Sequence, residues 1–293
     1  DDEVLASALV AAADVAQHLG DNERWVALLD QVLVIAERVG GSILAETLIQ
    51  LAWVDVRGNR PANTESMRRL LELVAELADP RLASKAHQIA GVAAQSRNDF
   101  DEGIRHAETA LDISRRMGDR FGEALGLLNL GASLGVQGDR LGDDGIRRRA
   151  EAQYLAALEL SERFEMKEQA ALTKLNLGQL KLRLGEVADA FRFVREGLEL
   201  ALEIDASPIQ LFAVLVHAEA LIELGQVKTG GAYIGLAQIH PARDGLADEI
   251  ERITRRLDDR DDLEASVAAG RDLEFDRVIA AILAFDESLP EDA

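Results

Sequence analysis

The sequence contains no cysteine, only five prolines and few aromatic residues. Without cysteine there can be no disulfide, no thiolate nucleophile and no cysteine ligand for zinc. No apolar run approaches the roughly 20 residues that a membrane-spanning helix needs, and no segment resembles a signal peptide. We therefore expect a cytoplasmic protein with no membrane partner. The sequence opens at Asp1 rather than Met, which we interpret as a piece of a longer protein.

The chain is also poor in positive charge. It has 32 lysines and arginines against 53 acidic residues, which gives a formal net charge of −21 over 293 residues. That sign repels nucleic acid and anionic lipid, so we expect no direct nucleic-acid partner. One interpretation of the excess is that acidic, solvated faces keep an elongated protein in solution. The other is an acidic groove that receives a basic peptide.

Motifs for metal binding and catalysis are missing as well. None of the five histidines has the spacing H-x-x-x-H or H-E-x-x-H, which would place two metal ligands on one face of a helix. The phosphate-binding pattern G-x-x-x-x-G-K-[ST] does not occur either. We expect the histidines to be packing or surface residues, and we expect no cofactor, no metal and no enzyme activity. The histidines are His18, His87, His106, His217 and His240.

What the sequence does contain is an internal repeat. The stretch ALGLLNLGASLGVQGD at Ala124–Asp139 returns 47 residues later as ALTKLNLGQLKLRLGE at Ala171–Glu186, with seven of sixteen positions identical. Self-similarity at a fixed period is characteristic of repeat proteins. Turn signals separate apolar patterns of helical period, and each signal can end one helix and cap the next. The signals are Gly20-Asp21, Gly58-Asn59, Asn98-Asp99, Gly138-Asp139, Gly185-Glu186 and Gly225-Gln226.

The repeating unit is therefore predicted to be a helix, a tight turn and an antiparallel helix. Small residues recur seven positions before the turn, at Gly91, Gly131, Gly178 and Ala218, and we expect them to let paired helices approach closely. The sequence divides into six units, at about 3–40, 41–79, 80–119, 120–166, 167–206 and 207–241.

Two regions depart from this regular pattern. The longest interval contains an insertion, Arg140–Ile146, which we expect to form a loop between the helices of the fourth unit. After Pro241 the pattern changes, and residues 242–293 are predicted to be C-terminal capping helices and a tail. An amphipathic helix is expected over Leu246–Leu257 and another helix over about Leu273–Phe285.

The repeating unit resembles a tetratricopeptide repeat, since it has Leu-Gly in the first helix, a Gly-Asp turn and Ala-Leu in the second helix. The period of about 40 exceeds the 34 residues of the common form. It resembles the longer variant at the C-terminal end of multidomain bacterial signalling ATPases and MalT-like transcriptional activators. Leu236–Ala242 and Ala268–Asp276 resemble the tail of those proteins. HEAT-like repeats are the main structural rival, but they lack this pairing of motifs.

The resemblance implies an all-α, right-handed α-solenoid of about six antiparallel helix pairs with C-terminal capping helices. It also implies that the parent protein carries an N-terminal switch or output domain. In such repeats the first helices line a concave groove where partners bind. The residue before Leu-Gly would then point inward: Asn129 and Asn176 in two units, and Ile89 and Val216 in two others.

Asn129 and Asn176 carry an amide, which can both donate and accept hydrogen bonds and so pair with an extended peptide backbone. The alternative is that both amides bond to adjacent helices and stabilise the stack. Polar positions on the same face complete a predicted partner-binding surface. Its members are Lys85, Gln88, Gln95, Asn129, Asn176, Gln179, Arg183 and Glu219.

We therefore predict a protein- or peptide-binding module, acting as sensor or scaffold of a larger bacterial signalling or transcription regulator. Two alternatives stay open. The first is a receptor for a small-molecule inducer, which would need a closed pocket lined by leucine and phenylalanine. The second is a structural module for self-association.

Overall fold

The computed structural model describes residues 2–18, 21–57, 64–257 and 263–285. These residues form helices and turns, with no strand among them, so the all-α prediction is confirmed. None of the described helices is long and apolar enough to cross a membrane. The helices are α1 (Asp2–His18), α2 (Asn22–Val39), α3 (Gly41–Arg57), α4 (Thr64–Leu77), α5 (Pro80–Ser96), α6 (Phe100–Met117), α7 (Arg120–Leu141), α8 (Asp144–Arg163), α9 (Lys167–Arg183), α10 (Val187–Glu203), α11 (Ser207–Glu223), α12 (Val227–Ile239), α13 (Ala247–Leu257), α14 (Leu263–Gly270) and α15 (Phe275–Ala284).

The chain divides into two compact units, Asp1–Ser133 and Leu134–Ala293, and the boundary falls within α7. In the first unit, consecutive helices pack in pairs: α1 with α2, α3 with α4, and α5 with α6. Aliphatic side chains such as Val32, Leu70 and Ile89 are almost fully buried at its centre. Burial of such residues, at about 25 cal/mol per Å², is the main force that holds helix pairs together. The division into six repeat units remains a prediction.

In the second unit, α9 pairs with α10 and α11 pairs with α12. Helix α11 is apolar on nearly every side, and Leu211, Leu215 and Ile222 have no accessible surface. A helix that is hydrophobic all round belongs at the centre of a core, and α11 lies there, in contact with α9, α10, α12 and α15. This central position decides which polar groups on α11 are buried.

Close helix approach depends on small residues, as expected for Gly178. A Cβ atom at that position would lie 3.1 Å from Val194 Cγ2 and 3.2 Å from the Ala190 carbonyl oxygen, both on the paired helix α10. A still closer approach joins α12 to α14. There a Cβ on Gly235 would lie 1.9 Å from the carbonyl oxygen of Val267, which no side chain could tolerate.

The turn signals form turns wherever the structure describes them, with one exception. Asn98, Gly185 and Gly225 have the positive φ angles of 61°, 75° and 81° that end a helix in the left-handed conformation. Asp99 caps the following helix, because its Oδ1 accepts a hydrogen bond from the Glu102 N–H at 3.1 Å. The signals Gly20-Asp21 and Gly58-Asn59 include residues outside the described ranges.

The exception is the fourth unit, where the predicted loop Arg140–Ile146 is wrong. Helix α7 continues through Gly138 and Asp139 to Leu141, and α8 begins at Asp144. The turn is made instead by Gly142, with φ of 62°, and by Asp143, whose Oδ1 accepts from the Gly145 N–H at 2.8 Å. Gly-Asp recurs there four residues later, so the inserted residues lengthen two helices rather than form a loop.

The C-terminal region is helical, as predicted, with different bounds. A 3₁₀ segment at Pro241–Leu246 precedes α13, and the last helix begins at Phe275 rather than Leu273. Helix α14 has no counterpart in the prediction. Residues 258–262 and 286–293 lie outside the described ranges, and with them the predicted end of the tail.

Candidate functional site

In the second unit, three of the predicted partner-binding residues share one side of α9. Asn176, Gln179 and Arg183 are spaced by three and four residues, so their side chains lie one above the other. The Asn176 side chain is half-buried, and its Nδ2 donates to the carbonyl oxygen of Leu172 at 2.8 Å. That bond lies within α9, so the Asn176 amide nitrogen does not join two helices as the stacking alternative requires.

The most deeply buried charges lie beside this side of α9. Glu219, on the central helix α11, has a relative accessibility of 0%, and its Oε1 lies 2.7 Å from Arg183 Nη2. The Arg183 side chain is itself only 6% exposed, and its Nε donates to Asp139 Oδ2 at 3.1 Å. Burial of a charge is costly unless an opposite charge compensates it, so Arg183 and Glu219 depend on each other.

Helix α13 completes this arrangement from the other side. Glu249 Oε1 accepts from Gln179 Nε2 at 2.5 Å, and Arg252 Nη2 lies 3.9 Å from Glu219 Oε2. Arg252 also donates to Glu249, through Nε at 2.9 Å and Nη2 at 2.5 Å. At the opposite end, Arg147 Nε donates to Asp139 Oδ1 at 2.8 Å.

The result is a continuous line of side chains in which positive and negative charges alternate. We call it the polar row. It consists of Arg147, Asp139, Arg183, Glu219, Arg252, Glu249 and Gln179. Four of these residues, Asp139, Arg147, Glu249 and Arg252, were not among the predicted site residues.

The polar row shifts the proton affinities of its carboxyl groups in opposite directions. Burial raises the pKa of Glu219, although Arg183 and Arg252 act to lower it. Burial also acts to raise the pKa of Glu249, but hydrogen bonds from Arg252 and Gln179 and the Arg252 charge outweigh it, so that pKa falls below its usual value. Burial, followed by the charges of Asp139 and Glu249, raises the pKa of the nearby phenol of Tyr154. Glu249 is therefore the more strongly ionised carboxylate.

In the first unit, the predicted residues have separate environments. Lys85 is exposed, whereas Gln88 is buried and its Nε2 lies 3.5 Å from Ser84 Oγ. Gln95 donates to Ser133 Oγ at 2.7 Å, and Ser133 donates to the backbone oxygen of Asn129 at 3.0 Å. The Asn129 Nδ2 atom is buried and has no hydrogen-bond partner within the described part of the chain. The Asn129 amide nitrogen is thus a donor that packing leaves unsatisfied.

The positions equivalent to the two asparagines differ from them. Ile89 and Val216 have no accessible surface and belong to the apolar cores, whereas Asn129 and Asn176 are half-buried. Where the residue is apolar, the position therefore serves packing alone. Where it is asparagine, part of the side chain stays accessible, as a contact residue requires.

An open cleft of about 560 Å³ lies elsewhere in the second unit, between α8, α9 and α10. Met166, Ala170 and Leu200 form its apolar part, and Ser161, five glutamates and two lysines form the rest. Both lysines are paired, Lys167 with Glu203 at 2.7 Å and Lys174 with Glu196 at 2.6 Å. The small-molecule alternative calls for a closed pocket lined by leucine and phenylalanine, whereas this cleft is open, is lined mostly by charged residues and contains one leucine and no phenylalanine.

Three histidines lie in packed surroundings. His87 and His106 contact each other through their Nδ1 atoms at 2.9 Å, and burial lowers the pKa of both rings. His217 packs among Phe191, Tyr233 and Phe285. No group of three or more potential ligands able to hold a metal occurs among the residues that the structure describes.

The fold is similar to those of two solved structures. One is a Rap protein complexed with Competence and Sporulation Factor; the TM-score is 0.73 and the identity 16%, covering 94% of this chain and 75% of that chain. The other is aspartyl phosphate phosphatase F from Bacillus subtilis, with a TM-score of 0.60 and 12% identity, covering 86% of this chain and 66% of that chain. No protein-family model and no curated protein matches the sequence. At these identities the similarity concerns the fold alone.

This similarity confirms a helical-repeat fold of the tetratricopeptide type, built from antiparallel helix pairs. Both neighbours are matched over most of this chain, so the repeat fold does not rest on one segment. The solved neighbours add no support for a MalT-like parent protein, which remains a prediction.

Proposed function

We propose that the chain is a peptide- or protein-binding helical-repeat module. Its contact surface in the second unit consists of Asn176 and the α9 and α11 members of the polar row, which are Gln179, Arg183 and Glu219. The observation that carries this proposal is the side of α9 on which Asn176, Gln179 and Arg183 are stacked. Asn176 and Gln179 are half-buried, and the Arg183 side chain is 6% exposed. A helix that only packed would favour apolar residues at such positions. Amide and guanidinium groups in such a row can instead bond to the backbone and carboxylates of a peptide.

The fold comparison supports the same function. One of the similar structures is a Rap protein in complex with Competence and Sporulation Factor, so a fold of this kind can hold a bound factor. We further propose that this chain is the cytoplasmic sensor or scaffold part of a larger bacterial regulator. A ligand would act there by binding one arrangement of the module more tightly than another.

A display library of linear peptides, selected on the full chain, provides the probe for this proposal. Asn176→Ala removes an amide whose one hydrogen bond lies within its own helix. We expect selected peptides to bind this variant about tenfold more weakly, since one or two lost hydrogen bonds account for about 1–2 kcal/mol. Thermal unfolding should change little.

Gln226→Ala is the matched control, because Gln226 is an exposed amide in the same unit and makes no side-chain capping bond. We expect its affinity for the selected peptides to equal that of the unmodified chain. The proposal is wrong if Asn176→Ala and Gln226→Ala bind the peptides equally well, or if the library yields no peptide that depends on Asn176.

A further inference from the structure

Helix α13 packs against the second unit through an apolar side and a polar side. Ile250 and Ile253 enter the apolar core of the second unit, and Ile253 has no accessible surface. Glu249 and Arg252, one helical turn apart, instead contact the polar groups of α9 and α11. On the solvent side, Glu251 and Arg255 are exposed and pair only with each other in the described contacts, at 2.5 Å.

The contacts of Glu249 and Arg252 are those that a bound peptide would make. Glu249 supplies a carboxylate acceptor to Gln179 Nε2, and Arg252 supplies a cation to the buried carboxylate of Glu219. A buried ion-pair network adds little net stability compared with apolar residues of similar volume. It does impose strict demands on charge and position, so it favours selective contact over strong packing.

Neither α13 nor Glu219 satisfies all the donors of the Arg183 guanidinium. Arg183 Nη1 is buried and has no hydrogen-bond partner among the described residues. Glu249 reaches Gln179, four positions before Arg183 on the same side of α9. A peptide carboxylate bound between Gln179 and Arg183 would accept hydrogen bonds from both side chains. It would therefore bind at this place more tightly than Glu249, which reaches Gln179 alone.

We propose that α13 is a tethered occupant of the contact surface on α9 and α11, and that the partner is a helical peptide segment that carries an acidic residue followed three positions later by a basic one. The segment replaces Glu249 and Arg252 when it binds. This inference rests on the proposed function and specifies its ligand. It also makes α13 an internal competitor, because the partner gains access only to the fraction of molecules in which α13 has left this surface.

The test uses the full chain and a synthetic peptide with the sequence of residues 247–257, acetylated and amidated at its ends. Binding is measured by fluorescence anisotropy. In the variant E249A/R252A the tethered helix loses its polar contacts, while Ile250 and Ile253 are kept. We expect the peptide to bind this variant at least tenfold more tightly than it binds the unmodified chain, because apparent affinity scales with the unoccupied fraction.

Two controls belong to this test. The variant E251A/R255A removes an ion pair from the solvent side of the same helix, and it should bind the peptide as the unmodified chain does. A peptide with the acidic and basic residues of positions 249 and 252 exchanged should not bind any of the proteins. If circular dichroism shows that E249A/R252A is unfolded, the single variant Glu249→Ala replaces it, since it removes the acceptor of Gln179 from α13 and leaves α9 and α11 unchanged.

Equal affinity of the peptide for E249A/R252A and E251A/R255A would overturn the inference, as would binding of the charge-exchanged peptide. The proposed function fails separately. If display-selected peptides depend on Asn176 but bind E249A/R252A no better than the unmodified chain, the binding function stands and occupancy by α13 is wrong. If no selected peptide depends on Asn176, the binding function itself is wrong.

Discussion

At the scale of single residues, the second unit is defined by charges that its core would normally exclude. Glu219 lies on the most buried helix and has no contact with solvent. Arg183 is its nearest positive charge, at 2.7 Å, and Arg252 lies farther away, at 3.9 Å. Removal of one partner of such a pair leaves the other charge buried without compensation, which costs far more than the pair contributes.

We therefore expect Arg183→Ala to destabilise the chain by about 3–5 kcal/mol, the usual cost of breaking a buried ion pair. Arg192→Ala is the control, because Arg192 pairs with Asp189 on the surface and is 49% exposed. That substitution should cost no more than about 1 kcal/mol. Urea denaturation of both variants measures the difference, and equal stabilities would show that Arg183 does not compensate Glu219.

His217 gives the chain a defined pH dependence. Burial lowers its pKa from 6.5 to about 4, and the residue is 3% exposed. A histidine with a depressed pKa stabilises the fold fully above its unfolded pKa, and this contribution is lost as pH falls from 6.5 towards 4. The raised pKa of Glu219 acts oppositely, because its contribution is lost as pH rises.

The histidine contribution can be isolated with His217→Leu. Linkage predicts that the unmodified chain loses about 2 kcal/mol more stability than this variant when the pH is lowered from about 7.5 to about 5. Denaturant titrations at the two pH values give the comparison, and other groups cancel because both proteins contain them. An identical loss in the two proteins would rule out a buried, neutral His217.

At the scale of elements, glycine has two different uses. Gly142 ends α7 with a positive φ angle, and a Cβ there would meet nothing within 4 Å. Gly235 does not have a positive φ angle, but a Cβ there would lie 1.9 Å from the Val267 carbonyl oxygen on α14. The first glycine is required by its conformation, and the second by the contact between α12 and α14.

The two uses predict different costs for alanine. Gly142→Ala should destabilise the chain by about 1 kcal/mol, the cost of a left-handed residue with a side chain. Gly235→Ala should cost about 3 kcal/mol, because α14 must move away from α12. Amide exchange should then be faster in α14 for Gly235→Ala and unchanged there for Gly142→Ala. Equal exchange of α14 in the two variants would contradict this account of the α12–α14 contact.

Some of the turns between helices could be predicted from the sequence, and one could not. Turns at Asn98, Gly185 and Gly225 were predictable because their chemistry is local: a residue that tolerates positive φ ends the helix. The turn of the fourth unit was placed wrongly because Gly138-Asp139 and Gly142-Asp143 offer the same chemistry. Only the packing of α7 against Arg147 distinguishes them, since a Cβ on Gly138 would lie 3.0 Å from the Arg147 backbone nitrogen.

At the scale of the whole molecule, the repeat determined the fold class, and long-range contacts determined the polar row. Asn176, Gln179 and Arg183 could be found because they recur at helical spacing next to Leu-Gly. Glu249 could not, since 70 residues separate it from Gln179 and its helix reads as an ordinary amphipathic surface helix. Pairing over that distance leaves no periodic signal in a single sequence.

The two similar solved structures give information on the fold and none on the contacts of individual residues. They confirm the helical-repeat fold, and one of them holds a bound factor. Residue identities of 16% and 12% do not carry any contact across to this chain. The proposed function therefore rests on the contacts of this chain alone, and they can be tested without knowledge of the natural partner.

The most direct test of that central claim is a crystal structure of the full chain with a display-selected peptide bound. We predict a peptide in contact with Asn176 and Gln179, with its carboxylate near Arg183 and with α13 displaced from α9. A peptide bound in the cleft between α8, α9 and α10, with Glu249 still bonded to Gln179, would contradict it.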